Sequence, residues 1–285
     1  MYFAGGRPVR TCEGTALPAG FETCGTVTEL SALAQEIRKS GTPAIEIEGR
    51  YPELRFCCVH RGRQNVYMFF NESVVKPVSA EVKILSGTWQ SIGRYDAVND
   101  VLFPEKLTDN RFVLRLAPGE STVILLDTEK TDKEPQTLVR EVSVLTDWAV
   151  SKSETKAYPQ FVPVCKVSAG EMLPNLNAPE YCPEFTGYFQ YEGHFAAKPG
   201  ERVMLYLPQI SDAGEVTVNG QYAGTVLGGN GRVNVTDLLT GGDNTLRIET
   251  ANTLVWMVKD GASAHLQVPA TGLGKSPVLE YYQSK

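Results

Sequence analysis

The stretch that decides the fold is Glu215-Val-Thr-Val-Asn-Gly-Gln-Tyr-Ala-Gly-Thr-Val226, in the last third of a chain of 285 residues. Apolar and polar residues alternate before and after Asn219-Gly220, as they do in strands with one buried face. Asn-Gly is a strong hairpin signal, because both central positions of the tight turn need positive φ. The sequence therefore predicts an antiparallel hairpin at this point.

Other segments on both sides of this hairpin have the same period of two. Strands are predicted over residues 187–195, 203–207, 232–235 and 245–249, with a short helical turn at 237–239 and a Gly-rich loop at 228–231. The Pro-rich segment 159–183 is expected to wrap over a surface rather than form a central strand. This part of the chain is predicted to be an antiparallel jelly roll.

The first half is also predicted to be mostly strand. The first 27 residues are predicted to be loop, followed by one amphipathic helix that Thr28 caps and Gly41 stops. Its apolar face is formed by Leu30, Leu33, Ala34 and Ile37. A further alternating run is predicted beyond this half, at residues 138–150. Within the first half, short strands with turns between them lie over residues 55–60, 66–70, 78–85, 111–116 and 122–126. They indicate a β-sandwich that ends near residue 127, with a charged linker at 128–135.

Composition narrows the possible partners and compartment. The net charge is −6 with no basic stripe, which argues against nucleic acid as a partner. No apolar run approaches the roughly 20 residues that span a bilayer, so no membrane partner is expected. The N-terminus lacks the apolar core of a signal peptide, so we expect a cytoplasmic protein or a fragment that has lost its natural start. The six cysteines form no C-x-x-C pattern, which predicts free thiols, with Cys57 and Cys58 unbridged, and no metal site.

Two motifs in the last third carry a family resemblance. Ala213-Gly-Glu-Val-Thr-Val-Asn-Gly-Gln-Tyr-Ala-Gly224 fits the pattern A-x-V-x-V-N-G-x-x-x-G, and Gly242-Asp-Asn-Thr-Leu-Arg-Ile-Glu249 fits G-x-N-x-L-x-V-x-V. With these motifs, residues 185–258 resemble the galactose-binding-like, sugar-binding jelly roll of family 2 glycoside hydrolases. The resemblance implies an all-β fold: a β-sandwich followed by this jelly roll, with one short N-terminal helix.

A second resemblance covers more of the chain. His60-Arg61 with Val66-Tyr-Met-Phe-Phe-Asn-Glu-Ser73, the turn Leu116-Ala-Pro-Gly-Glu-Ser-Thr-Val-Ile124, and the closing segment 271–279 resemble the β-modules that follow the catalytic barrel in α-L-rhamnosidase-type hydrolases. The resemblance implies three parts. Residues 1–43 would be a remnant of a missing catalytic domain, 44–135 a β-sandwich, and 136–285 the jelly roll.

No residue pattern predicts catalysis, but several residues suit sugar binding. An aromatic face covers the apolar side of a sugar ring, while amides and Arg bind its hydroxyls. The candidates are Tyr188, Tyr222, Asn230, Arg232, Asn252 and Trp256. We expect no cofactor, although the resemblance allows a structural calcium.

Three functions stay open from the sequence. The first is a non-catalytic accessory region of a rhamnosidase-like glycoside hydrolase, with a plant or bacterial glycan and a catalytic barrel as partners. The second is a free-standing, lectin-like carbohydrate-binding protein. The third is a small glycosidase that uses Glu184 or Glu192.

Overall fold

The computed structural model shows an all-β chain, which confirms the predicted fold class. Its contacts define two compact units: a first unit of residues 1–50, 80–88 and 108–113, and a second unit of residues 51–79, 89–107 and 114–285. The domain boundaries predicted at residues 43/44 and 135/136 remain predictions. The structure describes residues 2–4, 8, 10, 13, 15–17, 19–20, 25–27, 29–40, 43–73, 75–130, 136–258 and 270–284.

The first unit contains the predicted helix, α1 (Leu30–Ser40). The predicted cap Thr28 and stop Gly41 lie outside the described residues. Two short strands, β1 (Tyr2–Ala4) and β2 (Gly25–Val27), pair in parallel, so the prediction of loop through residue 27 is wrong there. Three-residue strands are too short for a period of two to reveal them. β3 (Ile45–Ile47), β6 (Val78–Ile84) and β9 (Arg111–Leu116) form a sheet in that order.

The second unit begins with a five-stranded antiparallel sheet. Its strands are β4 (Leu54–Arg61), β5 (Gln64–Asn71), β7 (Ser91–Asp96), β8 (Val101–Pro104) and β10 (Ser121–Asp127), in the order β4-β5-β10-β7-β8. Tyr67 and Phe69 on β5 are fully buried, and the alternating residues of this strand are more exposed. The predicted turn at 117–120 is closed by Glu120 N, which donates to Ala117 O at 3.1 Å.

The jelly roll of the second unit is an eight-stranded antiparallel sheet. Seven strands run in the order β11-β18-β15-β17-β14-β12-β13, and β16 pairs with β15. They are β11 (Gln136–Ser143), β12 (Trp148–Ser153), β13 (Val162–Val167), β14 (Tyr188–Ala197), β15 (Arg202–Val218), β16 (Gln221–Asn234), β17 (Gly242–Ala251) and β18 (Val278–Ser284).

The long strand β15 bends this sheet around its core. Its first half pairs with β18 and its second half with β17, with register shifts between Leu207 and Ala213. Such bulges turn a strand and let one strand serve two partners. Side chains from both halves, including Leu205 and Val216, are fully buried in one apolar core with Phe189 and others.

The predicted hairpin forms between β15 and β16. Asn219 and Gly220 have φ of 50° and 76°, as a two-residue turn of this kind requires. The Asn219 amide donates to the Leu238 carbonyl at 2.8 Å, which ties the turn to a short 3-10 helix at Thr236–Leu238. The helical turn expected near this position is therefore confirmed.

The structure corrects one prediction in this half of the chain, divides another into two strands and confirms a third. The loop predicted at 228–231 lies inside β16, because Gly228 and Gly229 adopt positive φ where β15 also shifts register, so the strand bends without ending. The single run predicted over 138–150 divides into β11 and β12. The Pro-rich segment contributes only β13, whose Pro163 lies at the sheet edge, as predicted.

Four of the six cysteines are described, and all four are free thiols. Cys57 and Cys58 are exposed neighbours on β4 and do not bridge each other, whereas Cys182 is buried. Cys12 and Cys24 lie outside the described residues. Among the described residues, no helix has the length and apolar character to cross a membrane.

Candidate functional site

An open cleft of about 300 Å³ lies within the second unit, where the turn after β7 meets β16. Asp96 ends β7, Phe103 belongs to β8, and Tyr222 and Arg232 lie near opposite ends of β16. Two of the six predicted sugar-binding residues, Tyr222 and Arg232, therefore share one cleft. Its lining consists of Asp96, Val98, Asn99, Val101, Phe103, Tyr222, Ala223, Arg232 and Asn234.

Arg232 is fixed by a buried carboxylate behind the cleft. Its Nε lies 2.8 and 3.1 Å from the two oxygens of Glu280, and its Nη2 donates to Glu280 Oε1 at 3.0 Å. Glu280 lies on β18 and is only 1% exposed, so its charge depends on this bidentate pair. The hydroxyl of Tyr282 also donates to Glu280, at 2.8 Å.

A second carboxylate and an aromatic ring complete the surroundings of Arg232. Its Nη1 lies 3.5 Å from Glu120 Oε1, and the other oxygen of Glu120 accepts the Ala117 N–H at 2.6 Å. The guanidinium carbon lies 4.2 Å from the ring centre of Tyr206, its cross-strand partner. This contact is a cation–π interaction. The side chain of Arg232 is therefore held in one position.

The charges in this cluster shift the pKa values of Arg232 and Tyr282. Burial alone would lower the pKa of Arg232, but the hydrogen bonds and charge of Glu280, followed by the charge of Glu120, raise it overall. Arg232 thus carries its positive charge at any working pH. Burial raises the pKa of Tyr282 to about 12, and the charge and hydrogen bond of Glu280 add to the effect.

The opposite wall of the cleft is the turn at residues 96–100. Asp96 Oδ1 accepts the N–H groups of Val98 and Asn99, which is the usual way for an Asp to shape a turn. The Asn99 amide donates to the Thr225 carbonyl at 3.2 Å and its oxygen accepts the Thr225 N–H at 3.1 Å. This two-bond clamp joins the turn to β16 and so fixes one wall of the cleft relative to the other.

Tyr222 gives the cleft an exposed aromatic surface. Its side chain is 59% exposed, and its hydroxyl lies 2.8 Å from Thr225 Oγ1. Val98, Val101 and Phe103 supply further apolar lining. The cleft thus combines an aromatic ring with a guanidinium, a carboxylate and amides, the groups expected for binding a polyhydroxylated ligand.

Asn230 and Asn252 do not line this cleft, and the prediction for Trp256 stays a prediction. Asn252 is occupied by the chain around it: its oxygen accepts Gly187 N–H, and its amide donates to Phe185 O and Asn177 Oδ1. Asn230 Oδ1 is buried without a hydrogen-bond partner among the described residues. Trp256 lies in the short helix α2 (Val255–Val258), and its side chain is outside what the structure describes.

Tyr188, on β14, does not line this cleft. Its ring centre is 4.7 Å from that of Tyr158, a residue between β12 and β13. The Tyr158 hydroxyl donates to Glu249 at 3.0 Å, and this hydrogen bond is the largest cause of the raised pKa of Tyr158. Tyr188 therefore belongs to an aromatic pair beside a carboxylate, apart from the Arg232 cleft.

Asp96, Asn99, Phe103 and Asn234 line the cleft but are absent from the sequence-based candidates. A weak local signal exists at Asp96-Ala-Val-Asn-Asp100, because Asp and Asn cluster there between two strands. The clamp partner of Asn99 is 126 residues away, and no local pattern marks that distance.

Glu120 and Glu280 are two acids that converge on Arg232 within the second unit, so their arrangement can be compared with the one that glycoside hydrolysis needs. A glycosidase needs two carboxyl groups, about 5–5.5 or 6.5–9.5 Å apart, on either side of the scissile bond. Here the guanidinium of Arg232 occupies the space between the two acids, and neither acid lines the cleft. Glu184 and Glu192, the sequence-based alternatives, are exposed. The converging pair has the arrangement of an ion-pair cluster.

No described group of three or more His, Cys, Asp and Glu side chains is placed to hold a metal ion. Of the histidines, His60 lies 2.6 Å from Asn65 Oδ1, and His194 lies 3.1 Å from Asp243 at an exposed position. The structural calcium that the sequence resemblance allows stays a prediction.

A solved structure shares this fold, whereas sequence comparison finds no relative. No protein-family model matches the chain, and no curated protein matches it in sequence. A rhamnosidase from Novosphingobium sp. PP1Y is similar over 90% of this chain and 26% of its own, with a TM-score of 0.59 at 19% identity. This chain therefore shares its fold with part of that rhamnosidase and spans about a quarter of the rhamnosidase's length.

Two further hydrolases are similar to about half of this chain, with lower TM-scores. A GH2 β-galacturonidase from Eisenbergiella tayi covers 53% of this chain and 25% of its own at 18% identity, with a TM-score of 0.37. A β-glucuronidase from Ruminococcus gnavus covers 53% of this chain and 30% of its own at 15% identity, with a TM-score of 0.38. TM-scores this low do not establish a common fold.

Proposed function

We propose that this chain is a non-catalytic, carbohydrate-associated β region of a rhamnosidase-like glycoside hydrolase, and that it binds glycan in the cleft beside Arg232. The observation that carries the proposal is the similarity of nearly the whole chain to about a quarter of the Novosphingobium rhamnosidase. A fold that occupies a quarter of a hydrolase leaves the rest to other domains, which supports an accessory role.

The chemistry of the cleft supports the carbohydrate part of the proposal. Sugar rings have one apolar C–H face and an edge of hydroxyls, so their sites pair an aromatic ring with charged or amide groups. Tyr222 offers an exposed ring, while Arg232 and Asp96 offer a donor and an acceptor on the same cleft. Clamping of the turn to β16 by Asn99 supports a preformed site, which lowers the ordering cost of binding.

The same residues argue against hydrolysis within this chain. The two converging acids, Glu120 and Glu280, are hydrogen-bonded to Arg232 and to backbone or tyrosine donors instead of facing open space. The engagement of these two acids supports the proposal that the catalytic step takes place in another domain. The catalytic barrel that the sequence resemblance implies is the partner we propose.

A binding experiment on the purified full chain tests the proposal. A glycan array identifies a ligand, and calorimetry then measures its affinity for the native chain and for two variants. Tyr222→Ala is expected to weaken binding about tenfold, since losing an aromatic contact costs about 1.4 kcal/mol. Tyr181→Ala is the matched control, because this tyrosine is also exposed but does not line the cleft.

Turnover of aryl rhamnosides and galactosides by the chain is measured in parallel. We expect binding without turnover. Failure to bind any glycan would refute the proposal. Equal losses in Tyr222→Ala and Tyr181→Ala would move the site away from this cleft. Turnover that Glu184→Gln or Glu192→Gln abolishes would instead establish a small glycosidase.

A further inference from the structure

We propose that the Arg232 cleft selects neutral sugars with adjacent free hydroxyls and rejects sugars that carry a carboxylate. This inference rests on the proposed function, because it specifies which glycans the cleft accepts. It is carried by the charges and by the hydrogen bonds already made around Arg232.

The charge balance of the cleft is negative despite its arginine. Arg232 is the positively charged lining residue, and Asp96 is the negatively charged one. Behind the lining, Glu280 and Glu120 both contact Arg232, so this group of four carries a net charge of about −2 at neutral pH. A carboxylate that enters the cleft therefore meets an arginine whose charge is already compensated, beside Asp96, whose negative charge has no ion-pair partner among the described residues.

Other charged groups near the cleft do not reverse this balance. The charge of Arg94 is close enough to lower the pKa of Tyr282, against the larger causes that raise it. Arg94 is paired with Glu105 at 2.8 Å, so these two charges offset each other. Asp100 accepts a hydrogen bond from the Tyr95 hydroxyl and adds a further negative charge at the end of the turn. An anionic ligand therefore finds no uncompensated cation among these described neighbours.

The hydrogen bonds left over favour hydroxyl groups. An arginine has five N–H donors, and the contacts to Glu280 and Glu120 engage three of them among the described residues. Up to two N–H groups thus remain for oxygens of a ligand. Asp96 accepts three hydrogen bonds, and a carboxylate can accept about four. One wall can donate and the other can accept, as two neighbouring hydroxyls require.

A matched set of sugars tests the selection. Oligosaccharides of several uronic acids are compared by calorimetry with their carboxyl-reduced counterparts, which differ only at C6. The reduced, neutral sugars are expected to bind at least tenfold more tightly. Since the repulsion is between partly solvated charges, the ratio is expected to shrink when the salt is raised from about 0.02 to 0.5 M.

An Asp96→Asn variant separates charge from structure. Removing this charge is expected to reduce the ratio of the affinity for the neutral sugar to the affinity for the uronate. A general loosening of the turn would instead weaken the binding of both ligands and leave this ratio unchanged. Asp237→Asn is the control, because Asp237 is exposed and does not line the cleft. Thermal unfolding of each variant establishes that it is folded.

The outcomes distinguish this inference from the proposed function. Equal or tighter binding of the uronates would overturn the selection and leave carbohydrate binding in place. A ratio that Asp96→Asn does not change would likewise overturn it. Binding of neither kind of sugar would overturn the proposed function and the selection together.

Discussion

Replacing Arg232 by Met should unfold the protein at a much lower temperature, because the change strands a buried charge. Met has a similar length and keeps an apolar contact with the ring of Tyr206, but it removes the guanidinium donors to Glu280. Glu280 is 1% exposed, so water cannot replace the lost guanidinium without opening the structure. The hydroxyl of Tyr282 would be its one remaining described donor.

The expected loss follows from the burial of this pair. Breaking a buried ion pair by removing one partner typically costs about 3–5 kcal/mol, because an uncompensated charge is left behind. A domain of roughly 150–250 residues loses about 2–4 °C of Tm for each kcal/mol. Arg232→Met should therefore lower Tm by about 6–20 °C. Arg140→Met is the matched control, because Arg140 also stacks on a tyrosine but pairs with a half-exposed glutamate.

Circular dichroism melts of the native chain, both single variants and the double variant Arg232→Met/Glu280→Gln measure the effect. The control should lose about 1 kcal/mol or less, as exposed pairs do. The double variant should regain more than half of the loss, because its buried side chain is neutral. Acidification should likewise rescue Arg232→Met, since protonation removes the stranded charge. A Tm change below about 2 °C in Arg232→Met, or a double variant no better than the single, would refute the reasoning.

Three further predictions concern the walls of the cleft and the core beside it. In urea unfolding, Gly224→Ala should lower the free energy of unfolding by about 1–3 kcal/mol, because its Cβ would lie 2.8 Å from Asn99 Oδ1. Gly241→Ala is the control and should be near neutral, because a Cβ at Gly241 meets nothing within 4 Å. Tyr191→Phe should cost about 1–3 kcal/mol in the same assay, because its buried hydroxyl accepts a backbone N–H at 3.1 Å. The pKa of Tyr282 is raised to about 12 in the folded protein, compared with about 10 in the unfolded chain. Its contribution to the free energy of unfolding is therefore fully present below a pH of about 10 and is lost as the pH rises toward about 12. Tyr282→Phe should make this decline in the free energy of unfolding less steep.

The fold was predictable because its signals are local. The hairpin at Asn219-Gly220 follows from the positive φ that its turn requires, and the period of two follows from strands with one buried face. The places where prediction failed are those where local signals conflict. Gly228 and Gly229 suggest a loop, but the partner strand shifts register at the same level, so β16 bends there and continues.

The site was predictable only in part, because its geometry depends on distant pairings. Tyr222 and Arg232 could be named from residue type, yet nothing near Arg232 in sequence shows that Glu280, 48 residues away, accepts hydrogen bonds from two of its nitrogens. Asn252 shows the converse error. An amide suits a sugar and a backbone carbonyl equally well, and here it is used by the chain itself, toward Phe185 and Gly187.

Arg232 has two tasks that oppose each other, and this decides how the site must be tested. As an ion-pair partner it must stay bound to Glu280, and as a lining residue it must present donors to a ligand. Any substitution of Arg232 therefore changes stability and binding together, so a loss of glycan binding in such a variant says little about contact. Tyr222 has no such conflict, because it is 59% exposed and supports no buried charge. The tyrosine, and not the arginine, is the residue whose removal reports on the ligand alone.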